Sequence, residues 1–272
     1  MKPLTSCDYW DSKYRPGEAT PLIDITDFRQ RPFRLIVEKI EALGLDGKKV
    51  LEIGAGGSAV LTHLAERNSR PGSEFHGLDY SEAGCRGLEK IAADNGVRVK
   101  VHNGDLFYPP QELLSYFDVI YSLGVVEHFN DLPGVLSAQA KFLAPGGLML
   151  SVVPNLTGLL GRLVRHYNKE LFDMHRAYTP DALAKGHSES GLAPIYSGYL
   201  CSTNFGVLSA CFGSQEAAGW TAYLWLSRLS KAVWYMENKV FPLPETRLFS
   251  PYVCVVARKP EGPAGNPART LL

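Results

Sequence analysis

Three acidic side chains stand where apolar runs of this chain end. Glu52 sits in VLEIGAGGSAV (Val50–Val60), Asp79 closes EFHGLD (Glu74–Asp79), and Asp105 lies in NGDLF (Asn103–Phe107). After Glu52, Gly54, Ala55 and Gly56 permit a sharp turn and a close backbone approach to a ligand. The helix that follows would aim its partly positive N-terminus at that ligand. The segment Gly54–Ala59 also fits Gly-x-Gly-x-x-Gly/Ala, so the glycines alone leave a dinucleotide open. Glu52 argues otherwise, because a carboxylate there repels a pyrophosphate and suits the cationic end of a ligand bearing an amino acid. Asp79 can accept hydrogen bonds from both hydroxyls of a ribose. Asp105 can accept from an adenine amino group, with Leu106 against the ring. Each residue also has a plainer reading, as a tight turn, a cap or a turn residue. Grouped at strand ends, they favour one nucleoside site. Two histidines could act as bases: His128 in GVVEHF and His175 in LFDMHRAYTPDAL. Either could equally pack a loop, and Glu127 is read as orienting the loop of His128. The spacing signals no metal-ligand cluster.

These residues need a scaffold that brings strand ends together. From about Lys49 to Asn155, apolar runs alternate with helical patterns, which predicts a parallel sheet with crossover helices. Strands are expected over Lys48–Ile53, Glu74–Asp79, Val97–Asn103, Phe117–Leu123 and Leu148–Pro154, the last entered through an APGG turn. Helices are expected over Ala59–Asn68 with Ser58 as cap, Ser81–Asn95 closed by Gly96, and Leu132–Leu143. A helical face of Leu156, Leu159, Leu160, Leu163 and Val164 follows, then a helix capped by Thr179 with Pro180 at its first position. Strands are expected near Ala193–Leu200 and Tyr252–Arg258. Between them, Leu226, Leu229, Val233, Met236 and Val240 recur at helical spacing amid Trp and Tyr residues. Phe28–Leu43 reads as an amphipathic helix, and Asp8–Tyr14 as a short one.

The bulk numbers narrow the partners. Lys+Arg and Asp+Glu are 28 each, so no global basic field invites nucleic acid. The five cysteines are scattered without a Cys-x-x-Cys pair, which fits reduced thiols in the cytoplasm. No uncharged apolar run approaches the ~18 residues of a membrane span, and the start lacks the apolar core of a secretory signal. Charged residues interrupt the aromatic segment, so at most it could lie on a membrane surface.

Taken in order, VLEIGAGGS, GLDYSE, NGDLF, FDVIYSLGVVEHF and LAPGG resemble the motif series of class I S-adenosylmethionine (SAM)-dependent methyltransferases over roughly Val50–Asn155. One departure is Ser58, where the family commonly has a third glycine. The resemblance implies an α/β, Rossmann-like, seven-stranded, mostly parallel sheet with helices on both faces, a helical lid insertion, and a last strand that is antiparallel. It assigns Glu52, Gly54, Ala55 and Gly56 to the methionine side of SAM, Asp79 to the ribose, Gly104, Asp105 and Leu106 to adenine, Tyr80 to the adenine edge, and Leu123 and Gly124 to the methionine portion. Tyr14, in the aromatic segment with Tyr9 and Trp10, would cover the cofactor, and S-adenosylhomocysteine would be the product.

The expected organisation is an N-terminal helical cap (1–48), a SAM-binding core (49–201) with a helical insertion (156–178), an aromatic lid or acceptor insertion (202–249), the final strand (250–259) and a flexible tail (260–272). The expected activity is methyl transfer to a hydroxyl, or an amine, of a small molecule or saccharide in a biosynthetic pathway, with His128 or His175 as a base and no metal. An NAD(P)-dependent oxidoreductase and a non-catalytic SAM-binding protein are the competing readings.

Overall fold

The computed structural model describes residues 3–12 and 22–261. Its centre is a seven-stranded sheet of order β3-β2-β1-β4-β5-β7-β6. The strands are β1 (Lys49–Ile53), β2 (Glu74–Asp79), β3 (Lys100–Asn103), β4 (Phe117–Leu123), β5 (Leu143–Pro154), β6 (Ala193–Leu200) and β7 (Tyr252–Arg258). The first five run parallel, and β7 is antiparallel to both β5 and β6. This is the expected Rossmann-like arrangement. The order reverses beside β1, so a crevice opens at the carboxyl ends of β1 and β4, where open α/β sheets take ligands.

Among the described residues, nine α-helices accompany the sheet: α1 (Cys7–Asp11), α2 (Arg31–Glu41), α3 (Ala59–Arg67), α4 (Glu82–Asp94), α5 (Leu132–Ala140), α6 (Leu159–Tyr167), α7 (Lys169–Asp173), α8 (Pro180–Glu189) and α9 (Trp220–Lys239). Successive residues of one strand serve opposite cores, because strand side chains alternate. Val50 packs with Val37, Ile40, Leu61 and Leu88 of α2, α3 and α4. Leu51 and Ile53 pack with Leu132, Leu136 and Leu183 of α5 and α8. The closeness of α4 to the sheet depends on Gly77, where an added Cβ would lie 2.5 Å from Leu88 Cδ2.

Helix starts follow the expected caps Ser58 and Thr179, and Ser81, expected inside its helix, caps α4 in the same way. The hydroxyls of Ser58, Ser81 and Thr179 accept from the backbone N–H groups of Leu61, Gly84 and Ala182. Several boundaries move for local reasons. The helix expected from Leu156 begins at Leu159, because Asn155 Oδ1 accepts from Thr157 N–H while Asn155 Nδ2 donates to the carbonyls of Arg247 and Ser250. Strand β3 starts at Lys100 rather than Val97, since Val97 N–H bonds back to the Ala92 carbonyl and closes α4. Strand β5 includes the APGG segment after a register break opposite Phe117–Val119.

The insertion has its own apolar cluster, in which Leu156, Leu160 and Val164 meet Phe205, Leu208 and Cys211. The 3-4 spaced stripe of α9 does not face inward as a whole, since Leu229 and Val240 are exposed. The helix buries Ser230, Trp234 and Glu237 instead. Polar anchors explain the rotation. Ser230 Oγ accepts from Phe205 N–H, Trp234 Nε1 donates to the Thr203 carbonyl, and Glu237 accepts from Ser202 and pairs with Arg31. No helix among the described residues is long and apolar enough to cross a membrane.

Candidate active site

Glu52, Gly54, Gly56, Asp79, Tyr80, Gly104, Asp105, Leu106, Leu123 and Gly124 line one cavity of about 460 Å³ at the carboxyl ends of β1, β2 and β4 and after β3. His128 lines it too. Ala55 takes part differently: it is fully buried, and its backbone N–H donates to the Leu78 carbonyl. Tyr14 lies outside the described residues. Sequence reasoning missed Thr5, Phe33, Phe107, Val125 and Phe129 on the wall. Among the N-terminal aromatics, Trp10 reaches the cavity, its indole donating to Thr5 Oγ1 and meeting His128 edge-on at 5.3 Å.

The glycine turn has an evident physical reason. Gly54 adopts φ +77°, and a Cβ there would lie 2.5 Å from Val125 Cγ2. Behind the turn, Glu52 is buried, and its Oε2 accepts from Ser58 Oγ at 2.6 Å and Tyr121 OH at 2.8 Å. Burial still raises its carboxyl to about 7, against those two hydrogen bonds. A half-neutral carboxyl in a cleft gains most from a cationic partner.

Asp79 is held by the backbone. Oδ2 accepts from Gly56 N–H and Oδ1 from Ser81 N–H, both at 2.8 Å. Burial pushes its carboxyl up, and these N–H groups pull the other way. The carboxylate is thereby oriented before any ribose arrives, each oxygen keeping acceptor capacity. Asp105 is exposed, and its Oδ1 accepts from Phe107 N–H at 2.9 Å in an Asx turn. The turn reading and the cavity reading of Asp105 both hold. The short helix α1 lies over this end, with Ser81 Oγ donating to Asp11 and the Tyr80 hydroxyl reaching the Ser6 carbonyl at 3.5 Å.

The two histidines meet although 46 residues separate His128 from Met174 beside its partner. Their ring centroids are 4.5 Å apart. His128 Nδ1 is 2.9 Å from the Met174 carbonyl, and His175 Nδ1 is 2.6 Å from the Leu171 carbonyl. A carbonyl can only accept, so both Nδ1 atoms carry the proton and both Nε2 atoms are lone-pair donors. Burial lowers His128 to about 4 and also lowers His175. Glu127 is 1% exposed, and burial raises it to about 8. Its ligand atom and those of the two histidines lie within 4.8 Å of one another. The sequence signalled no such cluster; the fold assembles it from two loops. His175 faces a second, smaller cavity of about 120 Å³ lined by Leu156, Leu160, Val164, Leu171 and Val207.

Comparison with known proteins agrees with this geometry. The family described as "Methyltransferase domain" matches residues 51–149. The chain is 33% identical over 139 residues to a ubiquinone biosynthesis O-methyltransferase of Pectobacterium carotovorum, which covers 51% of this chain and 53% of that protein. A protein of the same name from Pseudomonas fluorescens is 32% identical over the same length. The chain thus spans about half the length of the curated relatives it matches. Among solved structures, the magnesium protoporphyrin IX methyltransferase of Synechocystis PCC 6803, with bound S-adenosylhomocysteine, aligns at TM-score 0.55 and 16% identity, covering 93% of each chain. The geranyl diphosphate C-methyltransferase of Streptomyces coelicolor aligns at TM-score 0.54 and 14% identity, covering 82% of this chain and 76% of that one. Residues 51–149 thus match a methyltransferase domain, and four of the five sequence motifs border one crevice of a Rossmann-like sheet, an arrangement similar to that of the class I S-adenosylmethionine-dependent methyltransferases.

Proposed function

We propose that this chain transfers the methyl group of SAM to a hydroxyl oxygen of a small, largely apolar molecule. One observation carries the reading: Glu52, Asp79 and Asp105, from three different strand ends, face a single cavity. Glu52 would meet the ammonium of the methionine portion, Asp79 the ribose, and Asp105 with Leu106 the adenine. When bound, SAM supplies a methyl carbon on a positively charged sulfur, a good leaving group. The protein's task is then to orient the acceptor in line and exclude water. Trp10, Phe107 and Phe129 wall the cavity for that purpose.

The apolar second cavity beside His175 supports an acceptor with a hydrocarbon body and speaks against a saccharide. The names of the curated relatives support oxygen as the methylated atom. An oxidoreductase using NAD(P) fits less well, since Glu52 stands where a pyrophosphate would approach the glycine turn. Calorimetric titration of the full chain with S-adenosylhomocysteine and with NAD tests the reading. One equivalent of the former should bind and the latter should not; the reverse result overturns it.

A further inference from the structure

The acceptor hydroxyl raises a chemical difficulty that the two histidines do not remove. An alcohol or phenol gives up its proton far above neutral pH, beyond the reach of a neutral imidazole alone. Both rings are nevertheless fixed in one tautomer. Each Nδ1–H is tied to a backbone carbonyl, of Met174 or Leu171, and each Nε2 is left as a lone-pair donor. Metal-bound histidines are held in this way, by a hydrogen bond from the nitrogen that does not ligate. Beside them Glu127 presents a third donor. Its Oε2 is buried without a hydrogen-bond partner among the described residues. A buried carboxyl oxygen left unsatisfied costs stability unless something positive pairs with it.

We propose that Glu127, His128 and His175 form a binding site for one divalent transition-metal ion of the zinc type, placed between the cofactor cavity and the apolar acceptor cavity. This rests on the methyltransferase reading only for its role in the reaction, not for the ion site itself. Two imidazoles and one carboxylate suit zinc or a similar ion better than magnesium or calcium, which prefer oxygen ligands. One nitrogen or oxygen of each residue lies within 4.8 Å of the others, and tetrahedral coordination with bonds of about 2.1 Å needs separations of about 3.4 Å. Three protein ligands leave an open position. His128 lines one cavity and His175 the other, so that position is reachable by an acceptor oxygen.

The ion would lower the pKa of a bound acceptor hydroxyl, as it lowers that of bound water. The hydroxyl proton leaves to solvent. The freed oxygen lone pair forms the new O–C bond to the methyl carbon, while the C–S bond breaks and its electron pair stays on sulfur, giving a neutral thioether. No oxidant or reductant takes part.

The test uses the full chain, stripped with a chelator and titrated with zinc chloride by calorimetry and with cobalt chloride by visible absorption. Stoichiometric zinc binding and cobalt d–d bands typical of low-coordinate nitrogen and oxygen ligation are expected. His175→Ala and Glu127→Gln should each weaken zinc by at least about 100-fold, while His175→Cys, which restores a zinc ligand, should recover most of the affinity. S-adenosylhomocysteine affinity serves as the fold control and should stay within about threefold in all three variants. Substoichiometric zinc, or zinc affinity indifferent to His175→Ala in a variant that still binds S-adenosylhomocysteine, overturns the site. If zinc binds as described but S-adenosylhomocysteine does not bind even to the unaltered chain, the methyltransferase reading fails and the ion site stands.

Discussion

The titration of Glu52 gives the sharpest check on cofactor placement. Its carboxyl is raised to about 7 by burial. If it meets the ammonium of the methionine portion, the bound state requires the carboxylate, and binding below pH 7 must expel a proton. Each pH unit below about 7 then weakens binding about tenfold, or about 1.4 kcal/mol. Between pH 7.5 and pH 5 the loss should approach about 100-fold. The ligand's own amino group titrates near 8 or above, outside this window. The same shift has a consequence for the ligand-free fold. A carboxyl whose folded pKa lies above its ordinary 4.5 is most compatible with folding when protonated, so stability falls as pH rises from about 4.5 to about 7, by up to about 3 kcal/mol. The assay is calorimetry of S-adenosylhomocysteine from pH 5 to 7.5 in two buffers of different ionisation enthalpy, which counts the released protons. Glu52→Gln should bind weakly with a flat profile. An affinity independent of pH in the unaltered chain, with no proton released, would refute the placement.

Other expectations follow from the same contacts. Asp79→Ala should weaken S-adenosylhomocysteine by about 1–3 kcal/mol, read by calorimetry, and unchanged affinity would contradict the ribose assignment. Gly54→Ala should lower stability by about 1–3 kcal/mol through its Cβ contact with Val125 and its φ of +77°. Adding Val125→Ala should return only part of that loss in thermal melts, because the backbone strain remains. His187 is fully buried, hydrogen-bonded to Ser151 Oγ and the Leu183 carbonyl, and lowered by burial to about 4. Its neutral form supports the fold above about pH 6.5, and that support is lost as pH falls towards 4. His187→Gln should therefore flatten the acid limb of a urea stability profile.

Much of the wall of the larger cavity was legible because glycines and acidic residues at strand ends are local signals. Glu52, Asp79 and Asp105 could be placed from the residues just before and after them. The acceptor half was not, since its parts are distant in the chain. That the rings of His128 and His175 meet, tilted at 52°, depends on where the α6–α7 segment returns, and no spacing in the sequence reports this. Glu127 looked like a loop-orienting residue because its burial and its unsatisfied oxygen are visible only once the fold is formed. The rotation of α9 escaped for a similar reason. Its apolar spacing is genuine, but Ser230 and Glu237 find polar partners from other segments, and those bonds override the stripe.

The position of β7 bears on how the chain can be made. This strand lies inside the sheet, between β5 and β6, yet comes after nearly everything else in the sequence. During synthesis, β6 emerges some fifty residues before β7, its neighbour among the described strands. Until Tyr252–Arg258 arrives, β5 offers an open edge and β6 has no ladder to join, so both are exposed to wrong pairing with neighbouring nascent chains. Emergence of Tyr252–Arg258 from the ribosome then closes the sheet in one event, and a chain stopped short of Tyr252 should be a substrate for proteases rather than a weakened protein.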